Sequence, residues 1–226
     1  MIKAIFLDVD DTLLDFGECS RMSMKQACEK HGVEFNETLV ETFHRINNGL
    51  WHDIEKGTLT RARLHEIRWN LVFDEIGGID ADGVAFEKDF FEGLHTIAVP
   101  VDGAAELVEY LAGKYELYVV SNAEYYQQYN RLEKCGMLKH INKIFVSADI
   151  GFAKPSREFF DICYRELPRL KPSETVIIGD SLRADIIGGI NYGIKSCWFN
   201  PYGKELPDDV CPDWITDSLR KIPEFL

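Results

Sequence analysis

A group of polar residues in this 226-residue chain has the types and the positions needed to act together on one ligand. Most of them follow short apolar runs and one opens a predicted helix; the members are Asp8, Asp10, Thr12, Ser121, Asn122, Lys154, Asp180 and Asp185. Carboxylates and hydroxyls supply the hard oxygen ligands that suit Mg²⁺, which binds a few carboxylates together with waters and a substrate phosphate. The group therefore indicates phosphate chemistry with a bound magnesium ion.

A phosphate monoester carries about −1.5 to −2 charges near neutral pH, so a bare carboxylate cannot approach its phosphorus atom unaided. Mg²⁺ and the Lys154 ammonium would together offset that repulsion. The hydroxyls of Thr12 and Ser121, with the neighbouring Asn122, are candidates for holding the substrate. One aspartate can then act as a nucleophile and form an aspartyl-phosphate. A second aspartate can protonate the leaving alkoxide and later deprotonate the attacking water.

The elements that must position these residues alternate regularly along the chain. Short strands, nearly continuous in apolarity, are predicted over residues 3–9, 116–120, 144–146, 175–178 and 196–199. Helices are predicted between them, over residues 103–114, 124–135, 155–167 and 185–192. This alternation predicts a Rossmann-like α/β domain, whose parallel sheet is covered by helices and binds its ligand beyond the carboxyl ends of the strands.

Residues 16–98 interrupt the alternation, because they contain no convincing strand. Helices are predicted there over residues 20–31, 37–48, 61–76 and 82–96. The simplest topology is an α/β core domain of residues 1–15 and 99–226, with an all-helical domain of residues 16–98 inserted after the first strand. Arg61, Arg63 and Arg68 are expected on a solvated helix face.

Composition and charge exclude several classes of protein. The chain has 25 Lys and Arg residues against 38 Asp and Glu residues, and a net charge of −13 disfavours a nucleic-acid partner. No apolar stretch approaches the roughly 18 residues of a membrane helix, and no signal peptide precedes the first strand. We therefore expect a cytoplasmic protein without a membrane partner. The 6 cysteines are widely spaced, as free thiols in a reducing compartment are, and the histidines have no zinc-site spacing.

The polar group resembles the motifs of the haloacid dehalogenase (HAD) superfamily of phosphohydrolases. Residues 8–12 (DVDDT) match its D-x-D-x-T motif, and the later motifs follow in order as Ser121, Lys154-Pro155, and residues 179–181 (GDS) with Asp185. One departure is the acidic Asp11, where many relatives carry glycine. The resemblance covers essentially the whole chain and implies that Lys154 is a catalytic cation that binds the phosphoryl group together with Ser121.

The same resemblance assigns roles to the aspartates. It implies that Asp8 is the nucleophile and that Asp10 is the general acid and base. It also implies that Asp8, Asp180 and the backbone carbonyl of Asp10 bind Mg²⁺, with Asp185 ligating or supporting the ion. The helical insertion resembles a C1-type cap, which closes over the substrate.

Further segments narrow the expected substrate. The superfamily's dehalogenases and phosphonatases lack a carboxylate two residues after the nucleophile, so Asp10 favours phosphate esters. Residues 47–51 (NNGLW) and 56–60 (KGTLT), and the later stretches 185–191 (DIIGGIN) and 197–200 (CWFN), resemble the YjjG-type branch of pyrimidine 5′-nucleotidases. This implies a small phosphorylated metabolite as the partner, such as a pyrimidine nucleoside 5′-monophosphate, with Trp51 as a candidate for stacking on the base.

Other functions stay open at this point. Mutases share both aspartates, and cap loops choose the leaving group, so a phosphatase or mutase of sugar phosphates or phosphoglycolate is an alternative. A phospho-acceptor signalling module also places aspartates, a hydroxyl and a lysine at strand ends, although the chain length and the insertion argue against it. A catalytically silent scaffold is disfavoured because Asp8 and Asp10 are both retained. Trp51 has core packing as its alternative role.

Overall fold

The computed structural model describes all residues 1–226. Its strands are β1 (Ala4–Leu7), β2 (Glu116–Ser121), β3 (Lys143–Val146), β4 (Thr175–Gly179), β5 (Lys195–Phe199) and β6 (Trp214–Thr216). Its α-helices are α1 (Phe16–His31), α2 (Glu37–Glu55), α3 (Arg61–Ile76), α4 (Gly83–Thr96), α5 (Ala104–Ala112), α6 (Tyr125–Lys134), α7 (Ser147–Ile150), α8 (Arg157–Glu166) and α9 (Gly188–Tyr192). A π-helical turn, Leu182–Ile187, precedes α9, and 3₁₀ turns occur at Leu138–His140, Pro172–Glu174 and Leu219–Glu224.

The strands form one parallel sheet in the order β3-β2-β1-β4-β5-β6. Strand β1 lies between β2 and β4, with Leu7 opposite Val119 on one side and Ile178 on the other. The strand order therefore reverses at β1, and the carboxyl end of a strand at such a point is where open parallel sheets bind ligands. The structure confirms the predicted Rossmann-like α/β fold class.

Apolar residues cover both faces of the sheet. Because alternate side chains of a strand point to opposite faces, Ile5 and Leu7 pack in one core layer and Ala4 and Phe6 in the other. The first layer contains buried residues of α5 and α6, and the second contains buried residues of α8. Burial on both faces explains why the strand sequences are almost continuously apolar.

The chain divides into two compact units. The sheet unit consists of residues 1–16 and 98–226, and the helical unit consists of residues 17–97. The helical unit contains α2, α3, α4 and all of α1 except its first residue. That the helical unit acts as a cap over a substrate stays a prediction. No helix in either unit has both the length and the apolarity required to cross a membrane.

Aromatic rings fill the interior of the helical unit. The ring centroid of Trp69 in α3 lies 5.0 Å from that of Phe43 in α2, and the two rings are stacked. It also lies 4.4 Å from the ring centroid of Phe86 and 5.1 Å from that of Phe90, both in α4. All these residues are buried. Rings at such distances stabilise a core beyond the apolar area that they bury, so three helices are joined through one tryptophan.

The expectation that Arg68 lies on a solvated face is wrong, because its side chain is buried in the helical unit. Its Nε and Nη2 donate to the Glu87 carboxylate at 3.0 and 2.5 Å, and its Nη1 donates to Asn47 Oδ1 at 2.8 Å. Position 68 lies one helical turn after the buried Leu64, so it faces the interior with it. Arg63, in contrast, is exposed and pairs with Glu66 at 2.9 Å.

Several element boundaries differ from the predicted ones for identifiable reasons. Helix α2 continues past residue 48 to Glu55, because Leu50 and Ile54 extend its buried face. Helix α8 begins after Ser156, whose side chain accepts the Phe159 N–H, rather than at residue 155. Strand β6 was not predicted, since it has three residues and lies at the edge of the sheet, paired only with β5.

Candidate active site

A buried lysine lies at the centre of the site and bonds to residues that follow β1, lie near the end of β2 and follow β4. Lys154 Nζ donates to Asp8 Oδ1 at 2.7 Å, to Asp185 Oδ1 at 2.6 Å and to the Val120 carbonyl at 2.7 Å. These acceptors use all the protons of the ammonium group. Lys154 is 1% exposed, and its charge needs such complete pairing because an unpaired charge in the interior is very costly in free energy. Lys154 therefore fixes Asp8, which directly follows β1, next to Asp185.

The π-helical turn after β4 positions Asp185. Its Oδ2 accepts the Ser181 N–H at 3.1 Å, and the Ser181 side chain in turn accepts the Ala184 N–H at the start of the turn. A Cβ atom on Gly179 would lie 2.1 Å from Asp185 Oδ2. The absence of a side chain at position 179 is thus what allows the carboxylate to approach the end of β4.

Asp8, Asp180 and Asp185 form an acidic cluster, in which one carboxylate oxygen from each lies within 4.8 Å of the others. Burial raises the pKa of Asp180 well above its ordinary value, and the charges of Asp8 and Asp185 add to this effect. Burial likewise raises the pKa of Asp8 to about 7, against the opposing effect of Lys154. Burial and the neighbouring negative charges therefore disfavour the ionised forms of Asp8 and Asp180 unless further positive charge is near.

The donor set of this cluster fits Mg²⁺. Closely spaced carboxylate oxygens are the ligands that hard divalent cations take, whereas no histidine or cysteine belongs to the cluster. Lys204 Nζ lies 3.6 Å from Asp180 Oδ2, so the Asp180 carboxylate already forms an ion pair with a lysine of the chain. A magnesium ion would relieve the repulsion that the charges within the cluster create.

Thr12 supports the cluster through its hydroxyl. The Oγ1 atom donates to Asp8 Oδ2 at 3.3 Å and accepts the Asp180 N–H at 3.0 Å, and the residue is fully buried. Thr12 therefore links the end of β1 to the loop after β4. A hydrogen bond from this hydroxyl to a substrate, as expected from the sequence, would have to replace the bond to Asp8.

The Asn122 side chain is also engaged within the protein. Its Oδ1 accepts the backbone N–H of Lys154 at 2.8 Å, and its Nδ2 donates to the backbone carbonyl of Lys154 at 2.9 Å. This pair of bonds holds the Lys154 loop against the end of β2. Asn122 thus positions the lysine through its side chain, and its second Nδ2 proton is not used by these bonds. Substrate binding by Asn122 stays a prediction.

Ser121 keeps a group available for a ligand. Its Oγ accepts the Ala123 N–H at 3.2 Å and a proton of Gln128 Nε2 at 2.8 Å. Both lone pairs of the oxygen are then occupied, and the hydroxyl hydrogen remains to donate. The hydroxyl at the end of β2 is therefore oriented as a donor, which is the property that a phosphoryl oxygen requires.

The Asp10 carboxylate bonds to helix α6 and takes no part in the acidic cluster. Its Oδ1 accepts from Arg131 Nη2 at 2.7 Å, and its Oδ2 accepts from Gln128 Nε2 at 2.8 Å. Its side chain is 28% exposed, whereas that of Arg131 is fully buried. The two aspartates of the first motif are thus held by different cations, Asp8 by Lys154 and Asp10 by Arg131. Binding of a metal by the Asp10 backbone carbonyl stays a prediction.

Asp11 adopts a left-handed backbone conformation, with φ of 59°. Glycine adopts this region readily, whereas aspartate does so when its short side chain bonds locally. Here the Asp11 Oδ1 accepts the N–H of Phe16, the first residue of α1, at 2.9 Å, and the Asp11 N–H donates to the Leu14 carbonyl at 2.7 Å. These bonds explain how an acidic residue fits where the motif resemblance leads us to expect glycine.

The structure also reveals residues of the site that sequence reasoning missed, namely Gln128, Arg131 and Lys204. The first two lie three positions apart on one buried face of α6, but their burial depends on the residues that surround the helix, and the sequence carries no signal for it. Lys204 follows β5 in a loop that Asn200 closes, with Asn200 Oδ1 accepting the Lys204 N–H at 2.8 Å. Asn200 ends the 197–200 (CWFN) stretch described above, but no motif marks Lys204 itself.

Trp51 lies on α2 and is half-buried. It belongs to the helical unit, whereas all the other predicted site residues belong to the sheet unit. Stacking of Trp51 on a base stays a prediction.

Comparisons with known proteins agree with this architecture. A model of the haloacid dehalogenase-like hydrolases matches residues 2–193. The HAD-hydrolase YfnB of Bacillus subtilis strain 168 is 34% identical over 223 residues, covering 99% of this chain and 93% of YfnB. The pyrimidine 5′-nucleotidase YjjG of Escherichia coli K12 is 26% identical over 222 residues, covering 98% and 96%. The pyrimidine 5′-nucleotidase PynA of Streptococcus pneumoniae R6 is 29% identical over 225 residues, covering 99% and 94%.

A solved structure of YfnB, in an orthorhombic crystal form bound to magnesium, superposes on this chain with a TM-score of 0.91 at 32% identity. The superposition covers 99% of this chain and 97% of YfnB. That crystal structure also reveals interdomain movement in YfnB.

Proposed function

The chain belongs to the haloacid dehalogenase-like hydrolases, and on this premise we propose that it is a Mg²⁺-dependent phosphatase that acts through an aspartyl-phosphate on Asp8. The relatives support hydrolysis of phosphate monoesters as the reaction. The observation that carries the proposal is the Asp8 carboxylate, which directly follows the central strand, bonds to a buried lysine and belongs to an acidic cluster with Asp180 and Asp185.

Asp8, Asp180 and the Asp10 carbonyl would hold Mg²⁺, with Asp185 ligating or supporting the ion. The magnesium bound by YfnB supports Mg²⁺ as the ion, and the acidic cluster of Asp8, Asp180 and Asp185 supports these residues as its ligands. When bound, the ion supplies positive charge that stabilises the phosphoryl oxygens and the ionised nucleophile.

In the first step, an Asp8 oxygen attacks the phosphorus atom while the bond from phosphorus to the leaving oxygen breaks. Lys154 holds the Asp8 carboxylate in one orientation, and the Ser121 hydroxyl donates to a phosphoryl oxygen. Asp10 gives its proton to the departing alkoxide, which leaves as an alcohol. The product of this step is a phosphate ester of Asp8 and an ionised Asp10.

In the second step, water attacks the phosphorus atom of the aspartyl-phosphate. Asp10 accepts the proton that this water loses, and the bond between phosphorus and the Asp8 oxygen breaks. Inorganic phosphate is released, while Asp8 regains its charge and Asp10 its proton. The same residue therefore serves as acid and then as base, and the cycle can repeat.

The test of the proposal is the release of inorganic phosphate from p-nitrophenyl phosphate with Mg²⁺. We expect many turnovers per chain, abolished by Asp8→Asn and preserved by Asp149→Asn, an exposed residue that serves as a matched control. Acid quenching should trap a phosphorylated wild-type chain and an unphosphorylated Asp8→Asn variant. A single turnover per chain would indicate a phospho-acceptor signalling module instead, and activity in Asp8→Asn would remove Asp8 from its role.

Among phosphate monoesters, we infer that pyrimidine nucleoside 5′-monophosphates are the substrates. The names of YjjG and PynA, at 26% and 29% identity, support this choice. A panel of nucleoside monophosphates, sugar phosphates and phosphoglycolate, assayed for kcat/KM, tests it. A clear preference for a sugar phosphate or phosphoglycolate, or transfer of phosphate within a sugar, would contradict the inference.

Trp51 gives a sharper test of nucleotide recognition. If its ring stacks on a base, Trp51→Ala should raise KM for a nucleotide by about 5-fold or more, since aromatic stacking on a base contributes about 1–3 kcal/mol. The KM for p-nitrophenyl phosphate, which has no base, serves as the control within the same variant and should change little. Equal changes in both KM values would indicate that Trp51 packs in the helical core.

A further inference from the structure

Helix α6 holds both oxygens of the Asp10 carboxylate through two side chains one turn apart. Arg131 Nη2 donates to Oδ1 at 2.7 Å, and Gln128 Nε2 donates to Oδ2 at 2.8 Å. The two α6 side chains are themselves joined, because Arg131 Nη1 donates to Gln128 Oε1 at 3.2 Å. The three side chains form a closed network that fixes both the direction and the rotation of the carboxylate.

The same network reaches the candidate phosphoryl-binding hydroxyl. Gln128 Nε2 donates its second proton to Ser121 Oγ at 2.8 Å, so one amide group bonds to both Ser121 and Asp10. Any rotation of the Gln128 amide would therefore displace two groups of the proposed mechanism. Gln128 is fully buried, which restricts such a rotation.

Packing alone does not account for an arginine at position 131. Its side chain is fully buried, whereas the next residue, Leu132, is an ordinary apolar member of the core. A guanidinium in the interior is unfavourable unless it is paired, and its anionic partner is the partly exposed carboxylate of Asp10. The arginine thus reaches from the core to a group at the surface of the site.

Asp10 has no second cation to hold it. Lys154 Nζ is already saturated by Asp8, Asp185 and the Val120 carbonyl. Without α6, the Asp10 carboxylate would be free to rotate, and a proton donor must be held in a narrow range of positions to act efficiently.

From this geometry we infer that Arg131 and Gln128 are positioning residues that hold Asp10 in the orientation needed for proton transfer to the leaving group. The inference rests on the proposed function, in which Asp10 is the general acid and base. Neither residue touches the substrate in this scheme: Arg131 acts through Asp10, and Gln128 acts through both Asp10 and Ser121. Substitution of Arg131 should therefore reproduce the kinetic pattern of Asp10→Asn.

The experiment compares kcat/KM for p-nitrophenyl phosphate, which has a good leaving group, with that for the best alkyl phosphate of the substrate panel. Arg131→Met should lower kcat/KM for the alkyl phosphate by about 10²-fold, the typical effect of misplacing a catalytic group by about 1 Å. The loss for p-nitrophenyl phosphate should be much smaller, because its leaving group departs without a proton. Lys134→Met, which removes an exposed cation from the same helix, is the matched control and should match the wild type.

A double-mutant cycle separates positioning from a general structural effect. In an Asp10→Asn background, Arg131→Met should lower kcat/KM no further, because the group through which it acts is already absent. Arg131→Lys should restore part of the activity toward the alkyl phosphate, since an ammonium can replace one of the bonds to Asp10. If Arg131→Met does not fold, Arg131→Lys is compared with the wild type on the same two substrates and in the same Asp10→Asn background.

Equal losses for the two substrates, or additive losses in the cycle, would overturn the inference. The proposed function would still stand in that case, provided that the wild type turns over and Asp10→Asn shows the leaving-group dependence. Absence of turnover in the wild type would instead contradict the proposed function itself.

Discussion

At the scale of single residues, the site separates two carboxylates that lie two positions apart in the chain. Asp8 is buried beside Lys154, and its pKa rises to about 7 because burial outweighs the effect of the ammonium. Asp10 is partly exposed and bonds to α6. Carboxylates in different environments can take different roles in one reaction, as a nucleophile and a general acid must.

Asp10→Asn should lower kcat/KM for an alkyl phosphate by about 10²- to 10⁴-fold, the usual contribution of general acid–base catalysis. The loss for p-nitrophenyl phosphate should be smaller, since asparagine cannot protonate a leaving group and nitrophenolate does not need protonation. Steady-state kinetics with both substrates measures the difference, and circular dichroism checks that the variant is folded. A uniform loss would argue against a general acid at this position.

Residue types at the site could be predicted from the sequence, because the motifs fall at the ends of recognisable strands. The hydrogen-bond partners of these side chains could not be predicted from the sequence. Thr12 accepts an N–H from Asp180, which lies 168 positions further along the chain, and no local pattern announces such a partner. The bonds from the side chains of Thr12 and Asn122 to Asp8 and Lys154 were likewise not foreseen, and substrate binding by these two residues stays a prediction.

At the scale of elements, the end of β4 and the π-helical turn place Asp185 where a side chain on residue 179 would collide with it. Gly179→Ala should therefore displace the Asp185 carboxylate and weaken its bond to Lys154. Changes in groups that support a metal site cost about 10- to 100-fold in metal affinity or activity, and we expect a loss of that size. The Mg²⁺ concentration that gives half-maximal activity measures it.

Gly49→Ala is the matched control for that substitution. Gly49 lies exposed in the middle of α2, and a Cβ atom there would meet open space. Because alanine favours a helix over glycine by up to about 1 kcal/mol, Gly49→Ala should raise the free energy of unfolding. If Gly179→Ala behaved like Gly49→Ala in both stability and Mg²⁺ dependence, the collision with Asp185 would have no functional importance.

The buried pair between α3 and α4 gives a second prediction for an element. Arg68→Met leaves the Glu87 carboxylate in the interior without its guanidinium, which should lower the free energy of unfolding by about 3–5 kcal/mol. Arg68→Met combined with Glu87→Gln removes both charges and should recover a large part of that loss. Urea denaturation measures these two variants and Glu87→Gln alone. A double variant as unstable as the sum of the single ones would show that the charges do not interact.

Helices and strands that carry a cap residue or a long apolar pattern in their own sequence could be predicted. A strand that is recognisable only by its pairing with a neighbouring strand could not. Helix α3 follows its capping residue Thr60, whose hydroxyl accepts the Arg63 N–H, and both bounds agree with the prediction. Strand β6 has only three residues, and what defines it is its register with β5. Burial of the polar face of α6 likewise depends on the residues that surround the helix, so its contribution to the site could not be foreseen.

At the scale of the whole molecule, a net charge of −13 and an acidic cluster make the metal-free protein sensitive to pH. Folding raises the pKa of Asp8 from 3.8 to about 7, and Asp180 shifts in the same direction. A raised pKa in the folded state means that the protonated carboxyl favours folding. That contribution is present at low pH and is lost as the pH rises through about 7.

Mg²⁺ should reverse this loss, because it binds the ionised carboxylates. The rise in Tm that Mg²⁺ produces should therefore be larger at pH 8 than at pH 5, and Asp180→Asn should remove most of it. At about 100 times the Kd, a ligand stabilises the folded state by about 2.7 kcal/mol, which differential scanning fluorimetry resolves easily. An equal rise at both pH values would mean that the ion binds elsewhere.

The class of the whole fold followed from the alternation of strands and helices, and the sheet order places the motifs at one edge, as that class requires. The predicted strands are confirmed because strands buried on both faces need nearly continuous apolar sequences, and such sequences are easy to recognise.

Every hydrogen bond described in the candidate site joins residues of the sheet unit, although the chain leaves that unit after its first strand and returns to it at residue 98. The sequences of the inserted helices can therefore change without disturbing the hydrogen bonds among the proposed catalytic residues. If the helical unit contacts the substrate, as predicted, exchange of this one contiguous segment should change substrate selectivity and leave the hydrogen bonds of the candidate site intact.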